Sequence, residues 1–232
     1  VLEKDTDKIK THAKQILENI IVKKKLESGN PKVSDARFGI PYSGWDDYKL
    51  NFEDKKRFFS AICFTETPIN EVHCLLEIKN RSINLEPYGL IFLKENLQKR
   101  GVSPVIYLNN EKKDKDKVFQ AICSFIETYP NEAAEILPLI AVFGKKVTAP
   151  NAKTQNGSVD FRWEREWRLP ASQSPFIFDD KDVFIGLCPH NEIEKMEGLF
   201  PNISFIDPTR NMKWYASKLI DSRKRLELKY SV

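Results

Sequence analysis

The stretch DFRWEREWRLP, residues 160–170, holds two carboxylates two positions apart, Glu164 and Glu166, among arginines and tryptophans. On a strand these two carboxylates share a face, about 7 Å apart at a rise of roughly 3.3–3.4 Å per residue. Arg162, Glu164, Glu166 and Arg168 then line one face, and Trp163, Arg165 and Trp167 the other. Two readings follow. An exposed R-x-E-x-E-x-R face compensates its own charges and needs no function. Buried, the two acids repel, one is pushed towards its neutral form, and the arginines hold the other ionised, as in acid–base or glycosyl-transfer sites.

Two further stretches carry polar chemistry. ICFTET, residues 62–67, ends an apolar run in hydroxyl and acid groups, which places Thr65, Glu66 and Thr67 at a strand mouth where ligands commonly sit. The plainer alternative is turn and cap chemistry, with Thr67 as N-cap of a helix that begins at Pro68. In YGLIF, residues 88–92, Tyr88 precedes a glycine that lets a backbone or a planar ligand approach closely.

Other chemistries lack their residues. There is no G-x-G-x-x-G, no G-x-x-x-x-G-K-[ST], no G-x-S-x-G and no H-E-x-x-H. The four cysteines (Cys63, Cys74, Cys123, Cys188) are widely spaced among apolar neighbours, and His12, His73 and His190 lack ligand spacing. Buried free thiols in a reducing cytoplasm, and no metal site, are expected. The 37 basic and 33 acidic side chains leave a net charge of +4, too mild to imply nucleic-acid binding without a local basic face. No run reaches the roughly 18 apolar residues of a membrane span. The Lys- and Asp-rich start is no signal peptide, although the chain opens on Val and an earlier segment can have been removed.

Periodicity supplies the frame. Helices are expected over 2–29, 69–78, 94–99, 116–129, 190–200 and 211–225; strands over 58–64, 88–92, 105–108, 160–170, 182–189 and 202–208. Residues 30–56 read as an aromatic-bearing loop, 109–117 as a mixed-charge loop and 148–158 as a connector. In the last helix Trp214, Leu219 and Leu226 are expected in the core, with the basic residues on a solvated face. The whole, residues 1–232, is expected to be a single α+β domain: a mixed β-sheet flanked by helices, with a helical insertion at about 116–146.

CFTETP, then YGLIFLKE, then G-x-x-PVIY, then E-R-E-W-R, in this order over roughly 58–170, resembles the AbiGi-type abortive-infection (phage-resistance) family. A toxin–antitoxin role in the bacterial cytoplasm is what that resemblance implies. More distantly, the order Arg37, Thr65 with Thr67, Glu164 with Glu166 is similar to ADP-ribosyltransferases. This implies an ADP-ribosyltransferase-like fold with NAD as substrate and no resident cofactor. Glu166 would then stabilise an oxocarbenium-like state and Glu164 would orient the acceptor. Thr65, Tyr88, Arg37 and Arg168 would lie around the substrate. Arg37 falls in a loop-like stretch, and Thr-Glu-Thr replaces the Ser-Thr-Ser pattern. Three functions stay open: a transferase-like defence enzyme, a non-catalytic antitoxin or sensor that binds a protein partner, and a nucleic-acid-binding protein that uses the last helix.

Overall fold

The computed structural model describes residues 2–28, 52–77, 85–109, 115–143 and 165–228. Arg37 and Glu164, with Arg162, Trp163 and the 148–158 connector, lie outside them. The described residues form an α+β fold.

The first helix, α1 (Leu2–Lys23), ends at Lys24, whose left-handed backbone (φ 50°) turns the chain into the two-residue β1 (Lys25–Leu26). Next come α2 (Phe52–Phe59), β2 (Ala61–Thr65), a 3-10 turn at Ile69–Glu71 and α3 (Val72–Glu77). They are followed by β3 (Gly89–Phe92), α4 (Lys94–Lys99), β4 (Ser103–Pro104) and β5 (Ile106–Asn109). The segment read as a helical insertion contains α5 (Lys115–Thr128), α6 (Pro130–Ile136) and then β6 (Ile140–Phe143). Pro138 lies in a 3-10 turn, Leu137–Leu139, where it ends the helix. The remainder is β7 (Glu166–Pro170), β8 (Phe176–Ile177), β9 (Val183–Leu187), α7 (Ile193–Leu199), β10 (Phe205–Ile206) and α8 (Ala216–Arg225).

These strands form four small sheets: β1-β8, β10-β9-β3, β2-β7-β4 and β5-β6. The β9–α7–β10 unit is parallel, as a helical crossover requires, and β3 adds antiparallel to β9, so this sheet is the mixed one. Val183, Ile185, Met196, Phe205 and Ile206 are fully buried in the principal core, which also takes Ile62 and Leu169 from the β2-β7-β4 sheet. Gly186 lets Phe205 lie flat on β9: a Cβ there would sit 2.3 Å from the ring. A second cluster packs Phe58 and Phe59 of α2 against Ile122, Ile126, Ala133, Ala134 and Leu137.

Several expectations are corrected. The strand expected at 58–64 is a helix end followed by a strand, with Ser60 between them. Residues 52–56, expected to be loop, belong to α2. Thr67 caps nothing: the N-cap is Pro68, and the Thr67 hydroxyl lies 2.7 Å from that of Thr65. Cys63 is exposed and Cys74 half-buried, whereas Cys123 and Cys188 are buried as expected. Trp214 is 70% exposed and its neighbour Tyr215 is buried. The 3-10 turn Met212–Tyr215 sets this phase, because its tighter winding rotates side chains off the α-helical pattern. Nor is the basic face of α8 simply solvated. Arg225 donates to the carbonyls of Asp180, Val183 and Phe184, and Lys218 pairs with Glu197.

Candidate functional site

Strands β2 and β7 pair antiparallel, with Thr65 opposite Glu166, Phe64 opposite Trp167, Cys63 opposite Arg168 and Ile62 opposite Leu169. Paired residues share a face. Ile62, Phe64, Trp167 and Leu169 therefore go to the principal core. Thr65, Glu166, Cys63 and Arg168 go to the other face. Regular strand geometry begins at Glu166, since Arg165 before it has a left-handed backbone (φ 46°); the expected same-face relation of Glu166 to Glu164 lies outside the described residues.

The Glu166 carboxylate is held by Arg168. Nε donates to Oε1 at 3.1 Å and Nη2 to Oε2 at 2.8 Å, a two-pronged pair. Arg168 is 2% exposed, and its Nη1 donates to the carbonyls of Pro138 (2.8 Å) and Ile140 (3.0 Å). The backbone of Glu166 is fixed too: its N–H donates to the Tyr107 hydroxyl at 3.2 Å, and its carbonyl accepts from Val105 at 2.9 Å. The pair thus joins β7 to the 3-10 turn and β6 of the helical segment. Coulomb attraction offsets burial only when geometry and remaining hydrogen bonds are good, as they are here.

A second charged group lies across the end of β2. Glu66 accepts from the Trp167 indole at 2.8 Å and from Lys94 at the start of α4. The Lys94 ammonium lies 4.7 Å from the Trp167 ring centroid. Lys94, and then Trp167, hold the Glu66 carboxyl below its ordinary value. Sequence reasoning placed Glu66 at a strand mouth without finding its partners, which lie 28 and 101 positions away.

Thr65 and Tyr88 meet in a cavity of about 910 Å³. Its walls come from α1 (Ile16, Leu17, Ile20), β2, α3 (Val72, Leu75) and β3, and are mainly apolar. Polar groups enter from Thr65, Thr67, Tyr88, Glu27 and Glu86, and these are the residues that could orient a ligand there. Neither Glu166 nor Arg168 is among the lining residues. Burial first, and the charge of the nearby Glu192 carboxylate second, raise the Tyr88 pKa well above the ordinary tyrosine value. Lys14 of α1 completes this group at 2.7 Å from Glu192. Lys14 and Glu192 went unnoticed in the sequence because each is an ordinary charged residue of a helical or turn segment.

Of the expected site residues, then, Thr65 and Tyr88 line the cavity, Glu166 lies across the strand pair from Thr65 but pairs with Arg168 and is not among the lining residues, and Glu164 and Arg37 lie outside the described residues. Among the described residues no group of three or more His, Cys, Asp or Glu is placed to hold a metal ion, and no helix is long and apolar enough to cross a membrane.

Comparison with known proteins gives one match. The family model described as "Putative abortive phage resistance protein AbiGi, antitoxin" matches residues 46–181, more than half of the 232. Neither a curated protein nor a solved structure matches the chain.

Proposed function

From the premise that this chain belongs to the AbiGi abortive phage resistance family, we propose that it acts as the antitoxin-type partner of a toxin, by binding rather than by catalysis. The observation that carries the reading is the Glu166–Arg168 pair. A catalytic carboxylate must reach the reacting atoms. Both oxygens of Glu166 accept from Arg168, whose remaining hydrogen bonds go to the backbone carbonyls of Pro138 and Ile140, and the apolar cavity is lined without it. The pair therefore acts as a structural clamp for β7. Growth of cells that produce the toxin, with and without this chain, tests the proposal. Rescue by the wild type and by a folded Glu166→Gln variant alike supports it. Rescue that disappears in Glu166→Gln, together with NAD consumption by the wild type, contradicts it.

One observation favours a second reading, an ADP-ribosyltransferase-like enzyme that uses NAD. Thr65 and Tyr88 line one roomy cavity, with an aromatic ring and hydroxyl groups that suit a planar, polar-edged ligand. Under this reading Thr65 and Tyr88 hold the nicotinamide end, and Glu164 and Arg37 complete the site with Glu166. Saturable binding of NAD that is lost in Tyr88→Ala supports it; the absence of such binding removes it.

A further inference from the structure

A second cavity, of about 280 Å³, lies against the turn that precedes α8. Asn70, His73, Thr209, Arg210, Asn211 and Met212 line it. The segment Ile69–Glu77 is the wall between the two cavities: its apolar residues Ile69, Val72, Leu75 and Leu76 line the large one, and Asn70 and His73 line the small one. Five of the six residues around the small cavity are polar, so its chemistry is opposite to that of its neighbour.

Its polar groups are chiefly donors. Arg210 carries five N–H groups, yet among the described residues its side chain makes no hydrogen bond. Its ion-pair contact is Asp207 Oδ2, at 3.9 Å from Nε, beyond hydrogen-bond reach. That carboxylate is already engaged. Oδ1 accepts from the Thr209 N–H (2.8 Å) and hydroxyl (2.6 Å), and Oδ2 accepts from the His190 N–H (3.0 Å). The Arg210 side chain is 38% exposed, and its guanidinium lies over the Trp214 ring, 5.3 Å from its centroid. Asn211 accepts from the Lys213 N–H through Oδ1, which leaves its NH₂ as the group for other contacts. The Asn70 amide makes no side-chain hydrogen bond among the described residues, and the His73 ring has Nε2 3.6 Å from the Cys74 sulfur. A half-buried cation without a hydrogen-bond acceptor, ringed by amide and imidazole donors, is the complement of an oxyanion.

We propose that this pocket binds a phosphate or carboxylate group, with Arg210 as charge partner and Asn70, His73 and Asn211 as neutral donors. The proposal goes beyond the toxin-binding reading and stands or falls separately from it. Trp214 is a built-in reporter, because an anion that draws on the guanidinium changes the field at the indole beneath it.

The test is tryptophan fluorescence of the full chain, with the share of Trp214 taken as the difference from Trp214→Phe because the chain has four tryptophans, titrated with inorganic phosphate, pyrophosphate and glutarate at constant ionic strength, with chloride as control. A saturable change with at least one of the three is expected, weakened at least tenfold in Arg210→Gln. Trp214→Phe should remove the signal while calorimetry still detects binding. A response to phosphate and pyrophosphate alone identifies a phosphate ligand, and one to glutarate alone a carboxylate; a response to all three supports the shared oxyanion chemistry. If Arg210→Gln does not fold, Asn70→Leu is read in its place, with weakening again expected. No saturable change in the wild type, or an unchanged affinity in the folded variant, overturns the proposal.

Discussion

Arg168 binds both carboxylate oxygens of Glu166 from two positions along the same strand, at 3.1 and 2.8 Å. Its other contacts are the carbonyls of Pro138 and Ile140, so one side chain ties β7 to the helical segment. Arg168→Met leaves the half-buried Glu166 without this partner and two carbonyls without their donor. A loss of about 3–5 kcal/mol in urea unfolding is expected. The double variant Glu166→Gln/Arg168→Met should lose less than the single one, because no half-buried charge then remains at the pair.

Glu66 gives the fold a pH dependence of known sign. Its carboxyl is held below the ordinary value by Lys94 first and Trp167 second. A group with a depressed folded pKa contributes stability above its unfolded value, near 4.3 for Glu, and loses it as pH falls through the folded value. Glu66→Gln should therefore melt below the wild type at pH 7. The gap should narrow as pH falls below about 4, in thermal melts followed by circular dichroism. A gap that is constant across this range contradicts the assignment.

Gly186 is required by contact with Phe205. Gly186→Ala places a methyl group 2.3 Å from that ring, so the ring or the strand must move. A cost of about 1–3 kcal/mol is expected from overpacking, measured by urea unfolding. Phe205→Leu in the same background should recover part of it.

Two neighbours in the basic run of α8, Lys224 and Arg225, should separate sharply. Arg225 donates to three backbone carbonyls on the β9 side, whereas the Lys224 side chain is 75% exposed and only 4.0 Å from Asp221. Arg225→Ala should cost about 1.5–3 kcal/mol, and Lys224→Ala less than about 0.5 kcal/mol. Equal effects in the two variants would return α8 to a simple solvated basic face.

Elements with a clear period were legible in the sequence: α4 lies at 94–99 as expected, and the β9–α7–β10 passage falls where its alternating apolar runs place it. Short apolar runs were not, because a buried strand and a buried helix end carry the same residue types. FFSAICF shows this: Phe58 and Phe59 serve one core from a helix, and Ile62 and Phe64 another from a strand. β1 and β8 are two residues each, too short to leave a pattern, and β6 was hidden in the apolar run after Pro138. In the candidate site the strand character of 166–170 and the shared face of Glu166 and Arg168 were legible. The partners of Glu66, and the place of Glu166 beside Thr65 but outside the cavity lining, depend on tertiary packing that spacing along one strand does not encode.

The measurement that tests the central claim most directly is NAD turnover by the purified chain, followed as nicotinamide release and by mass of the protein and of added nucleic acid. Binding without catalysis predicts no release and no added mass, in the wild type and in Glu166→Gln alike. Nicotinamide release by the wild type that disappears in a folded Glu166→Gln variant would contradict it, and would place Glu166 in a working transferase site.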